Sequence, residues 1–160
     1  MTHSVLLDTS FFIRLLNEND KLHHNALGYF KYFLENDIVL KCSTISVAEY
    51  CVGGHFDELP WKNLQVLPFN VNHGIRAGEF ARIVFTHKGR LQLDDRNIIP
   101  NDSKLFAQAD SDKSVTHFVT SDQKSKSIYN ILKEYIDPHF EIIDINMPYH
   151  ETYGIIDFGI

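Results

Sequence analysis

The hydrophobic positions of this chain alternate between short apolar runs and stripes of helical period. Residues 4–7 (SVLL) read as a buried strand, and the next segment places Phe12, Leu15 and Leu16 on one helical face, with Thr9 or Ser10 able to cap it. Leu27, Phe30 and Leu34 recur at helical spacing over 22–35, and Asn36-Asp37 breaks the pattern before a strand, IVLKC, at 38–42. A helix from Ser43 or Ser46 runs toward Gly53-Gly54, and QVLPF at 65–69 reads as a third strand. Ala77, Phe80, Ala81, Val84 and Phe85 mark a helix over 71–86. Beyond a turn at Lys88-Gly89, Pro100 resists helix, so the next helix is expected at 102–112 with Leu105, Phe106 and Ala109 inward. THFVT at 116–120, a helix carrying Ile128, Ile131, Leu132 and Tyr135, and FEIIDI at 140–145 complete the pattern. Strands alternating with helices predict an α/β sandwich around a mainly parallel sheet.

With 160 residues, 44% of them hydrophobic, the chain suffices for one well-packed domain, expected over 1–146, with 147–160 as a C-terminal tail. No run approaches the roughly 18 apolar residues of a membrane span, and an aspartate interrupts the N-terminus before a signal-peptide core. The expectation is a soluble, cytoplasmic protein with no membrane association. Cys42 and Cys51 fit no metal or redox spacing and are expected to be reduced thiols. The net charge of −6 disfavours nucleic-acid binding through a globally basic surface, while leaving room for a local basic rim.

Acids fall where an open parallel sheet gathers its ligands, beyond the carboxyl ends of the strands. Asp8 follows the first strand, Glu49 lies on the helix after IVLKC, and Asp122 follows HFVT through Thr120 and Ser121. Asp102 opens the helix before that strand. Each has a structural explanation on its own: Asp8, Asp102 and Asp122 as helix caps, and Glu49 in a Ser46-x-x-Glu49 capping box. Together, four carboxylates at one sheet edge repel one another unless cations hold them, and hard divalent ions such as Mg²⁺ or Mn²⁺ suit such an oxygen-rich set. The chemistry suggested is phosphoryl transfer by metal-activated water.

The segments LLDTSFFI, STISVAEY, NDSKLFAQAD and FVTSDQK occur in the order found in PIN-domain ribonucleases, and the chain resembles in particular the VapC-like toxins of toxin–antitoxin pairs from Ser4 to about Asp144. The resemblance implies a three-layer α/β/α PIN-like fold and a Mg²⁺- or Mn²⁺-dependent endoribonuclease. By position, Asp8, Glu49, Asp102 and Asp122 would ligate metal, with Asp8 central, while Thr120 and Thr9 would orient ligands or water. It also implies an RNA substrate, a cognate antitoxin and, in many members, a homodimer. Phe106-Ala107-Gln108-Ala109 departs from the usual alanine pairs, and Asp94, Asp95, Asp110 and Asp112 compete for the third acidic position, although all four are expected to be solvated.

An acidic protein that cuts RNA needs positive charge near its site, and the candidates are Arg14, Lys88, Arg90, Arg96, Lys104, Lys124 and Lys126, the last two strongest for their place beside Asp122. The alternative function is a non-catalytic PIN-fold module that binds RNA or protein. A haloacid-dehalogenase phosphatase is disfavoured because Ser10 stands where its second aspartate belongs, and a receiver domain because the acidic pair and late lysine are missing.

Overall fold

The structure, a computed structural model, describes residues 2–87 and 98–156. Five strands, β1 (Ser4–Leu7), β2 (Val39–Ser43), β3 (Leu64–Leu67), β4 (Val115–Thr120) and β5 (Glu141–Asp144), form a sheet in the order β3-β2-β1-β4-β5, every neighbouring pair parallel. The helices are α1 (Thr9–Leu15), α2 (His23–Glu35), α3 (Thr44–Tyr50), α4 (Val71–Thr86), α5 (Ile98–Ser111), α6 (Gln123–Tyr135) and α7 (Tyr149–Thr152).

Alternation along the strands sorts two cores. Val5 and Leu7 of β1, with Val119 and Ile143, pack under α1 and α2, whereas Leu6, Phe118 and Phe140 pack with α4, α5 and α6 around Phe80, Phe106 and Leu132. The mainly parallel α/β/α sandwich expected from the sequence is therefore present. β1 lies centrally; the chain moves from it toward β2 and β3 on one side and later to β4 and β5 on the other. The topological switch point thus falls between the carboxyl ends of β1 and β4.

Several faces differ from expectation. On α2 the buried residues are Ala26, Tyr29 and Phe33, while Leu27 and Phe30 are half-buried and Leu34 is exposed. The burial stripe is shifted because α7 packs on α2: the Tyr29 hydroxyl donates to the Met147 carbonyl at 2.7 Å and meets the Thr152 hydroxyl at 2.5 Å, and Tyr153 stacks on Tyr32 with ring centres 4.2 Å apart. Gly28 makes room for this packing, since a Cβ there would stand 2.8 Å from the Tyr149 ring. The C-terminal segment packs on the body as far as Tyr153, and its final four residues lie outside the described region. Leu16, Phe85 and Tyr135 are also exposed, at the edges of their stripes.

Helix α5 begins at Ile98, four residues earlier than expected, with Pro100 in its first turn. A proline is tolerated there because the first backbone N–H groups of a helix lack intrahelical partners in any case. Asp102 consequently sits one turn inside α5 instead of capping it. Nor does Ser46 form a capping box with Glu49: Ser43 is the N-cap of α3, accepting from the Ile45 N–H at 3.0 Å.

Candidate active site

The register of the sheet builds the site. Leu7 pairs with Val119, so the next residues, Asp8 and Thr120, emerge side by side at the switch point, and the Asp8 N–H donates to the Val119 carbonyl at 3.0 Å. Asp8 begins α1 by accepting from the Thr9 N–H at 2.8 Å, while its other oxygen accepts from the hydroxyls of Thr120 at 2.8 Å and Ser10 at 2.9 Å. The Thr120 hydroxyl in turn accepts from the Asp122 N–H at 3.0 Å.

Asp122 caps α6 through the Lys124 N–H at 2.9 Å, Glu49 accepts from the Thr9 hydroxyl at 2.6 Å, and Asp102 accepts from the Ser125 hydroxyl at 2.8 Å. Four elements therefore each bring one acid to a single cleft of about 410 Å³, whose wall also includes Thr9, Ser10, Ile13, Asn101 and Leu105. Capping and site membership coexist in Asp8 and Asp122, so the structural explanations considered for each acid do not compete with the functional one.

Burial and neighbouring charge raise two of the carboxyls. Asp8 is raised from the ordinary aspartate value to about 6, chiefly by burial, with the hydrogen bonds from Thr120 and Ser10 opposing and the Glu49 charge adding. Asp102 is raised to about 7, first by burial and further by the charges of Asp8, Asp122 and Glu49, against the Ser125 hydrogen bond. Asp102 Oδ2 is buried without a hydrogen-bond partner among the described residues. A carboxylate oxygen left bare beside three other acids is suited to a hard cation, and all-oxygen donors fit Mg²⁺ or Mn²⁺. Among the described residues, no three His, Cys, Asp or Glu side chains stand in an arrangement that could hold a metal ion. Glu49 is drawn to Thr9 and Asp122 to its own helix, so the acids line the cleft without closing on one point.

The proposed basic rim is more dispersed than the acids. Arg14 is held by Asp20 at 2.6 Å, Lys126 lies 3.3 Å from Asp144, Lys124 is exposed and Lys104 half-buried; none of the four lines the cleft. Lys88, Arg90, Arg96, Asp94 and Asp95 lie outside the described residues. Asp110 and Asp112, expected to be solvated, form ion pairs with Arg76 at 2.8 Å and Lys41 at 2.5 Å, the latter lysine buried within β2. Sequence reasoning did not single out Asn101 or Ser125. The available signal for Ser125 was a polar residue on the same face of α6 as Ile128 and Leu132.

The five-stranded parallel sheet with helices on both faces matches the PIN-like fold of solved VapC toxins. Three solved structures share it: VapBC2 from Rickettsia felis bound to a DNA fragment from its promoter (18% identity, TM-score 0.58, covering 88% of this chain and 98% of that one), DNA-bound VapBC from Salmonella typhimurium (18%, 0.56, 91% and 99%), and VapC20 from Mycobacterium tuberculosis, a sarcin-ricin loop cleaving toxin (18%, 0.54, 77% and 93%). No protein-family model matches the chain, and no curated protein sequence does. No described helix is long and apolar enough to cross a membrane.

Proposed function

We propose that this chain is a divalent-metal-dependent endoribonuclease, acting as the toxin of a toxin–antitoxin pair. The observation that carries the reading is the convergence of Asp8, Glu49, Asp102 and Asp122, from four elements, on one cleft at the switch point of the sheet. Likeness in fold to a toxin that cleaves the sarcin-ricin loop supports RNA as the substrate class.

In this reading Asp8, Glu49, Asp102 and Asp122 would hold the cation, which would supply an acidified water and charge stabilisation at the leaving oxygen. The chain's own residues do the positioning. Thr120 and Ser10 fix the Asp8 carboxylate, Thr9 holds Glu49, and burial excludes bulk water from Asp8 and Asp102. Lys104, Lys124 and Lys126 would meet the RNA backbone outside the cleft, where they leave the acids free for the cation.

A second hollow of about 410 Å³ shares Ile13 and Glu49 with the cleft and is lined by the exposed Leu16 and Val52. An apolar surface beside the site supports a protein partner, the cognate antitoxin. Titration with Mn²⁺ tests the metal site without knowledge of the RNA target. Wild type should bind, and the Asp8→Asn, Asp122→Asn double variant should bind at least tenfold more weakly; equal affinity in the two would rule out the site.

A further inference from the structure

We infer that Ser125 is a positioning residue of this site, whose hydroxyl fixes one oxygen of Asp102 and leaves the other available to a cation. The inference rests on the reading of the four acids as cation ligands. Ser125 is the third residue of α6 and is 1% exposed; its hydroxyl donates to Asp102 Oδ1 at 2.8 Å across the contact between α5 and α6. Asp102 is itself 7% exposed, and its Oδ2 has no partner among the described residues.

Ser125 stands in the first turn of α6, where the carbonyl four residues earlier belongs to Ser121, before the helix, and its hydroxyl instead reaches a side chain on another helix, Asp102 of α5. Ser125 also occupies a face otherwise filled by Ile128 and Leu132, where an apolar residue would pack without needing a partner. The choice of donor matters as well. A hydroxyl orients the carboxylate while preserving its charge, whereas a lysine or arginine in the same place would neutralise it and compete with a cation. Thr9 holds Glu49, and Ser10 with Thr120 holds Asp8, in the same manner. Ser125 gives the acid on α5 the equivalent support.

Partners that orient metal ligands typically alter affinity by about 10- to 100-fold when removed. Mn²⁺ affinity, measured by calorimetry on wild type, Ser125→Ala, Asp102→Asn and the double variant, tests the role. Ser125→Ala should bind about tenfold more weakly, and should add little to the loss in Asp102→Asn because both act through one carboxylate. Ser125→Thr and Ser125→Val, nearly equal in shape, provide a second comparison in which only the hydroxyl-bearing variant should retain affinity. Equal affinity of Ser125→Ala and wild type, a full additional loss in the double variant, or equal affinities for Thr and Val would overturn the role of Ser125. Failure of wild type to bind Mn²⁺ would instead overturn the metal site on which it rests.

Discussion

Thr120, the last residue of β4, donates its hydroxyl to Asp8 Oδ2 at 2.8 Å, joining the two strands at the point where the sheet changes direction. Both groups are nearly inaccessible to water, so the bond replaces hydration that Asp8 loses on folding. Thr120→Val keeps the shape and removes the donor. It should cost about 1–3 kcal/mol in urea denaturation, with Thr120→Ser much closer to wild type. Equal stability of Thr120→Val and wild type would show that Ser10 alone satisfies the carboxylate.

The raised carboxyls make stability depend on pH in a definite direction. Asp8 near 6 and Asp102 near 7 hold protons more tightly folded than unfolded, where an aspartate titrates near 4. Their contribution to stability is therefore full below about pH 4 and is lost as pH rises toward 7. In EDTA, Asp102→Asn should gain in Tm relative to wild type, and that gain should widen from pH 4 to pH 7. A gap independent of pH would contradict the burial and mutual repulsion assigned to Asp102.

Phe106 anchors the second core, edge-on to Phe118 with ring centres 5.0 Å apart and 5.7 Å from Phe140. It lies on α5 one turn beyond Asp102, so its packing also sets the height of the acid above the sheet. Phe106→Ala should destabilise by about 3–5 kcal/mol in urea denaturation. A loss below about 1 kcal/mol would mean that α5 is held by other contacts.

The C-terminal segment is fastened by Tyr29, whose hydroxyl contacts both Met147 and Thr152. Tyr29→Phe should leave the sheet intact while raising amide exchange over residues 147–156, at a cost of about 1 kcal/mol. Unchanged exchange would assign the docking to ring packing against Tyr32 and Gly28.

The parts of this structure legible in the sequence were those decided locally. Asp8 and Asp122 stood out because each follows a run of strand-like residues, and strand ends are where a parallel sheet exposes its chemistry. Glu49 and Asp102 were legible from their places on the helices that flank those strand ends. The start of α5 was obscured by Pro100, whose restriction on helices does not apply in a first turn. The buried face of α2 depended on α7, more than a hundred residues away, and tyrosines of intermediate polarity gave no warning of it. The ion pairs of Arg14 with Asp20 and Lys41 with Asp112 were equally hidden, because a charge reads as solvated until its partner is placed. Ser125 acquires its meaning only once α5 and α6 are in contact.

The most direct test of the central claim is cleavage of end-labelled structured RNAs, tRNAs included, by the purified protein in Mn²⁺, in EDTA and as the Asp8→Asn variant. The account predicts site-specific cutting in Mn²⁺ that EDTA abolishes and that Asp8→Asn lowers at least a hundredfold. Cutting that persists in EDTA, or in a folded Asp8→Asn protein at the wild-type rate, would contradict it.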